Sequence, residues 1–444
     1  MLKTKSLWLS IALILVLVLA ACGGGDAPAA EEADGSTEGA ADEGGEAAPA
    51  AGETSEVALW IFEGEEAFLP RLEEEFEAQN PDIDLQITEI PEGEYVTKID
   101  TALAAGDPPE IGFIYEARWV KADKVLSAKS ALEAAGVNLE DFNQGALGAN
   151  CLLNDDVYCM GTYSGGMVLF YNKDMFDEAG IPYPSSTEPM SVQEYADIAA
   201  QLSNDAENIE DKVWGGSADL MFYWSDPAYL FSEDGRTANI NDEATVNAHQ
   251  ILADMVAAGH APSSSDFDLF GDGDMAAQGQ QAMWIIDNVV GVEVLEAVGD
   301  INWGVAPVPV EQAGDEAWVS SWTDAFGVFS ESENPEAAMK FITFLATDGN
   351  RLRTEIGGFP LDLSVADEMD WAGDSVGRQE MLDVMATGRE GIFIPGVWDV
   401  IDPMWDMWDI LVEEGGSAQE AFDEAQIYVQ ENLDESWATY ESIE

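Results

Sequence analysis

Positive charge is what this 444-residue chain has least of: 16 Lys and Arg stand against 88 Asp and Glu, a formal net charge of −72. Such a surface repels nucleic acid, anionic lipid and phosphorylated ligands, so none of them is expected as a partner. Acidity spread along the whole chain with few lysines points to a high-salt, halophilic habitat, where screening relieves self-repulsion. An acidic surface serving cationic ligands is the rival account. Histidine is also scarce, with only His249 and His260. No metal-binding His pair, no Ser-His-Asp spacing and no Gly-rich phosphate loop can be traced, so no catalytic residue, metal or cofactor is assigned. Asp266, Asp268, Asp272 and Asp274 invite a calcium reading, but the twelfth loop position is Ala277 rather than Glu, and it is set aside. Beyond residue 20, no stretch approaches the roughly 18 uninterrupted apolar residues of a membrane span.

The beginning of the chain supplies what the rest lacks. Lys3 and Lys5 precede an apolar run from Leu7 to Leu19, followed by Ala20-Ala21-Cys22. A basic start, a short apolar stretch and small residues mark residues 1–21 as a secretory signal peptide. The Leu-Ala-Ala-Cys ending resembles the bacterial lipobox, which makes Cys22 the lipidation site of a lipoprotein; an ordinary secretory signal with a chance cysteine is the alternative. Gly23 to Glu56 contains ten acidic residues and no aromatic one. Residues 22–56 therefore read as a disordered acidic tether on the outer side of the cell membrane. The other two cysteines, Cys151 and Cys159, meet an oxidising compartment and flank the turn-forming Asn154-Asp155-Asp156. A disulfide clamping a hairpin is expected, with two free thiols as the alternative.

The remaining stretch of about 390 residues exceeds one typical core and suggests two lobes. Val57 to Phe62 reads as a buried strand, followed by a helix with Phe68, Leu69, Leu72 and Phe76 on one face. Ile83, Leu85 and Ile87 alternate as a second strand; a helix from Tyr95 to Ala105 and a strand from Ile111 follow. This βαβαβ order predicts an α/β fold with a parallel sheet. Later segments read as strand 167–171 and helices at 173–179, 192–202, 242–258 and 275–283. Asn334-Pro335-Glu336 reads as a capped helix start, and Ser417 to Glu420 as a capping box for a helix burying Phe422, Ala425, Val429 and Leu433.

Six segments in register carry a family resemblance. Tyr171-Asn172-Lys173 through Phe176 to Ala179-Gly180-Ile181 is the most distinctive. The others are Phe76-Glu77 to Pro81, Ala105-Gly106-Asp107-Pro108-Pro109-Glu110, Gly279 to Met283, Gly304 to Pro309, and Pro335 to Phe341. Together they make the chain similar, from about residue 57 to its end, to the extracellular solute-binding proteins of sugar ABC transporters (family 1, maltose-binding-protein-like). Glu110 stands where the family usually has aspartate. The resemblance implies a periplasmic-binding-protein type II fold, hinged, with ligand in a cleft between lobes. Lobe 1 is expected to hold residues 57–166 and 308–365, and lobe 2 residues 167–307 and 366–444.

Sugars offer flat aliphatic faces to aromatic rings and hydroxyls to paired acceptors and donors. Candidate contacts are Trp60 at the end of the first strand, Glu63 and Glu65 in the loop behind it, and Glu116 and Arg118 at the carboxyl end of the third. Arg118 is one of only seven arginines. Tyr163 precedes the lobe crossing, and Trp224 belongs to the aromatic cluster Phe222-Tyr223-Trp224. Asp287 stands where maltose-binding relatives carry a stacking tryptophan, which leaves it as a hydroxyl acceptor. Trp322, Asp324, Trp398 and Asp399 complete the set, while Trp405 and Trp408 recur at core spacing. The expectation is a non-enzymatic, monomeric receptor that binds a di- or oligosaccharide and delivers it to an ABC permease. A polyol or cationic compatible solute in the same fold, or a secreted glycoside hydrolase with two paired carboxylates, are the alternatives.

Overall fold

The computed structural model describes residues 54–62, 68–206, 208–220, 230–270, 274–299, 301–316, 319–389 and 392–443. Residues 1–53, which hold the expected signal peptide, Cys22 and most of the expected tether, lie outside them, as do Glu63, Glu65 and Trp224. The first lobe starts with β1 (Ser55–Phe62), in which buried Val57, Leu59 and Ile61 alternate with more open neighbours. Then come α1 (Leu69–Gln79), β2 (Ile83–Ile90), α2 (Glu92–Ala105), β3 (Ile111–Phe113) and α3 (Ala117–Lys121). Strands β2 and β3 both run parallel to β1, as the βαβαβ pattern requires. The short strands β4 (Leu152–Leu153) and β5 (Asp156–Val157) form a hairpin, joined at its base by a Cys151–Cys159 disulfide.

The second lobe is organised by β6 (Gly165–Asn172), buried along nearly its whole length. It leads into α4 (Lys173–Ala179), α5 (Val192–Leu202) and α6 (Glu243–Ala257). Antiparallel to β6 run β7 (Met283–Asp287), β8 (Trp303–Ala306) and β9 (Val319–Trp322), with α7 (Asn288–Val298) between β7 and β8. The chain then returns to the first lobe as β10 (Phe326–Val328), which closes a sheet of order β10-β3-β1-β2, and α8 (Pro335–Phe344) packs there. After α9 (Asn350–Glu355) it crosses again to α10 (Val376–Met385), β11 (Gly388–Arg389), α11 (Val397–Glu414) and α12 (Ala418–Glu441).

Several local expectations need correction. The helix foreseen at 275–283 is confined to Asp274–Ala277, because Gly279 adopts φ +71° and Met283 already pairs with Tyr171 in the sheet. Neither Asn334 nor Ser417 caps its helix with its side chain. Asn334 donates instead to the Glu56 carbonyl, while Gln250 of α6 accepts the Ala418 N–H at 2.8 Å. A capping box does occur at Ser191 and Glu194, where none was foreseen. Finally, Val308 packs in the second core and β9 pairs with β6, so residues 308–316 and 319–322 go with the second lobe. The return crossing falls at 323–325 because hydrogen-bonded sheet neighbours, invisible in local patterning, decide membership.

One acid at the edge of this core gives a pH prediction. Burial, reinforced by Asp242 and Asp315, pushes Glu311 up to about 7, although Thr245 Oγ1 hydrogen-bonds its Oε1 at 2.9 Å. A raised carboxyl binds its proton more tightly when folded, so stability falls as pH rises from the unfolded value near ~4.3 through 7. Glu311→Gln should therefore exceed the parent by about 1–2 kcal/mol at pH 8, after allowance for partial exposure, and match it near pH 4. Urea titrations at both pH values check this; a pH-independent difference would refute it.

Candidate functional site

A cleft of about 480 Å³ opens between the lobes. Its first-lobe wall is Val96 of α2 and the run Tyr115 to Arg118, immediately beyond β3, where open α/β sheets gather their ligands. The second-lobe wall is Phe393 to Asp399 and one side of α12, including Asn432, Glu435, Ser436 and Tyr440. The fold thus brings together four candidates distant in sequence: Glu116, Arg118, Trp398 and Asp399.

The first-lobe wall is rigid. Arg118 lays both terminal nitrogens on the Asp100 carboxylate at 2.9 and 2.8 Å, and its Nε reaches Glu116 at 3.3 Å. Trp119 Nε1 donates to the same Asp100 at 2.8 Å. Arg118 is therefore held as a fixed fork. Burial raises the pKa of Glu116 despite Arg118, with Asp100 and Asp399 adding repulsion. On the other wall, Gly396 in a left-handed conformation (φ +60°) turns the chain into α11. Trp398 and Asp399 lie in the first turn of that helix, where an acidic side chain complements the positive helix end. Trp398 is 49% exposed, so a broad aromatic surface meets the cleft. Asn432 of α12 donates to the Asp399 carbonyl at 2.9 Å, and Ser436 hydrogen-bonds the Pro395 carbonyl, locking α11 to α12.

Four other candidates gather at the lobe crossing and are not among the residues that line this cleft. Tyr163 is buried and donates to Asp324 at 2.5 Å, with Arg353 stacked 4.9 Å from its ring centre. Trp322 covers Gly165, where an added Cβ would come within 2.4 Å of the indole nitrogen. Asp287 accepts N–H bonds from Val289 and Val290, capping α7, and from Gly166 on the crossing strand. Burial outweighs these bonds and pushes its carboxyl up to about 6. Trp60 is half-buried at the end of β1, its carbonyl accepting from Tyr95, and is not on the cleft wall either. Trp408 is core, as its spacing suggested, and Trp405 packs against that core.

The α12 wall was missed. Asn432, Glu435, Ser436 and Thr439 recur at helical spacing, on a polar stripe that borders the apolar face of Phe422, Ala425, Val429 and Leu433. The signal was present in the polar face of a helix whose apolar face was recognised. Among the described residues no group of His, Cys, Asp and Glu could hold a metal ion, and no helix is long and apolar enough to cross a membrane.

Comparison with known proteins agrees with this architecture. The profile of the bacterial extracellular solute-binding proteins matches residues 62–351. A binding protein of Brucella abortus (strain 2308) is 24% identical over 350 residues, covering 76% of this chain and 82% of the relative. An ABC substrate-binding protein from Listeria monocytogenes, solved in complex with cycloalternan, superimposes with a TM-score of 0.72 at 22% identity. The match covers 86% of this chain and 99% of that one. The maltose/maltodextrin-binding domain from Bdellovibrio bacteriovorus, bound to maltotriose, gives a TM-score of 0.67 at 18% identity, over 86% and 100% of the two chains. The fold is that of two-lobed, type II periplasmic binding proteins.

Proposed function

This chain belongs to the bacterial extracellular solute-binding protein family, and we propose that it is a lipid-anchored receptor that captures a neutral di- or oligosaccharide and presents it to an ABC permease. The supporting observation is the cleft itself, which brings the half-exposed indole of Trp398 together with the acceptors Glu116 and Asp399. A sugar ring stacks on the indole while its hydroxyls donate to the carboxylates. Closure of the lobes over the ligand creates the shape that the permease reads. Trp60, Tyr163, Asp287, Trp322 and Asp324, with Glu63, Glu65 and Trp224, are proposed to support or extend the contact. No reaction is assigned to the carboxylates.

The charge of the walls defines what is refused. Glu116, Asp399 and Glu435 line the cleft, while Arg118 is shared between Asp100 and Glu116. Hydroxyl-rich ligands are accepted there, whereas sugar acids meet a wall whose like charge Arg118 offsets only in part. A thermal-shift panel at high and low salt should show stabilisation by a neutral oligosaccharide and none by its uronic acid counterpart. Stabilisation by a betaine-like cation or a polyol alone would replace the sugar in this reading, and turnover of an oligosaccharide would refute a pure binding role. Membrane anchoring makes a separate prediction. Cys22→Ser should move the protein from the membrane fraction to the medium, and continued membrane retention would remove the lipid anchor.

A further inference from the structure

Lys121, the last residue of α3, belongs to the first lobe, yet its ammonium reaches the second. It donates to the backbone carbonyl of Tyr440 and lies 4.1 Å from the centre of the Tyr440 ring. Tyr440 sits in the last turn of α12, supported edge-on by Phe393 at 5.3 Å and Trp437 at 5.9 Å. The same rings receive a cation from their own lobe: the Arg236 guanidinium lies 4.0 Å from the Trp437 ring and pairs with Glu441. Carbonyls at a helix C-terminus carry partial negative charge, and an aromatic face attracts a cation. The end of α12 is thus an electronegative socket, and Lys121 fills it from across the cleft.

We propose that Lys121 and Tyr440 form an interlobe clasp that favours the closed arrangement independently of the sugar's own contacts. The proposal rests on the reading of this cleft as the ligand site, since Tyr440 and Phe393 line it. Rigid lobes that part must separate a side chain of α3 from the end of α12, so the contact belongs to the closed state alone. A contact present in one state shifts the balance by its full strength. It also acts against a general force, because in a chain of net charge −72 two acidic lobes repel and opening relieves them. One cation crossing the gap offsets part of that repulsion where it is concentrated.

Lys121→Met keeps the aliphatic stem and removes the charge; Tyr440→Leu keeps the carbonyl and removes the ring. X-ray scattering of each ligand-free variant should give a larger radius of gyration than the parent. Calorimetry with the sugar that the panel selects should give a Kd about threefold to tenfold weaker. Lys121→Arg, which retains the cation, should restore most of both values. Parental radius and parental Kd in both variants would overturn the clasp. If no sugar binds, the functional reading fails, while the scattering comparison still decides the clasp. Should Lys121→Met fold poorly, Tyr440→Leu decides by the same two measurements.

Discussion

Replacing Trp398 with Ala is expected to weaken sugar binding about tenfold to a hundredfold while leaving the melting temperature almost unchanged. The asymmetry follows from position. Trp398 is 49% exposed in the first turn of α11, so its truncation opens no cavity in a core. What disappears is an aromatic platform beside Asp399, on the wall opposite Glu116, and with it the apolar part of sugar recognition. The same helix provides the contrast. Trp408 is 5% exposed and meets edge-on the ring of His249, which is buried and pushed down to about 4 by loss of solvent. Trp408→Ala should therefore lower stability by about 3–5 kcal/mol, with binding by the surviving folded fraction preserved. Calorimetry and chemical denaturation of both variants separate the two roles. Parental affinity in Trp398→Ala would remove this residue, and the stacking argument with it, from the site.

The two tryptophans also show where sequence reading succeeds. Apolar spacing along α11 assigns Trp408 to a core because helical periodicity is a local property, present in a window of a dozen residues. The order β1-α1-β2-α2-β3 is legible for the same reason, as is the turn between Cys151 and Cys159. Legibility ends where an element's place depends on a remote partner. β9 carries no local mark of its lobe; its pairing with Gly165 and Gly166 decides it. The cleft is half legible. Glu116 and Arg118 follow from the rule that ligands gather beyond strand carboxyl ends, and Trp398 from the family resemblance. The α12 wall follows from neither, since Asn432, Glu435 and Ser436 are ordinary polar residues until α12 is docked beside α11. Asp287 and Tyr163 show the converse. Their chemistry suits a sugar, yet Asp287 is engaged in capping α7 and holding Gly166 of β6, and the Tyr163 hydroxyl in holding Asp324 at the crossing.

Glu380→Ala is expected to cost about 3–5 kcal/mol of stability, more than any surface ion pair could explain. The reason lies in the most distinctive motif of the chain. In Tyr171-Asn172-Lys173, Asn172 caps α4 by accepting the N–H groups of Asp174 and Met175. Lys173 turns inward, its side chain only 7% exposed, and both oxygens of Glu380 meet its ammonium at 3.1 Å. Glu380 also accepts the Val305 N–H at 3.0 Å, tying α10 to β8. Removing this carboxylate strands a buried ammonium and a strand N–H together, and desolvation of an unpaired charge dominates the loss. Adding Lys173→Met to Glu380→Gln removes the charge and keeps an acceptor for Val305, so the double variant should recover at least about half of the deficit. No residue from Tyr171 to Ala179 lines the cleft. Sugar affinity of the folded fraction should accordingly stay at the parental value in every one of these variants. Urea denaturation with calorimetry tests both halves: a loss below about 1 kcal/mol would deny the buried pair its role, and a weakened Kd would place the motif in the binding machinery.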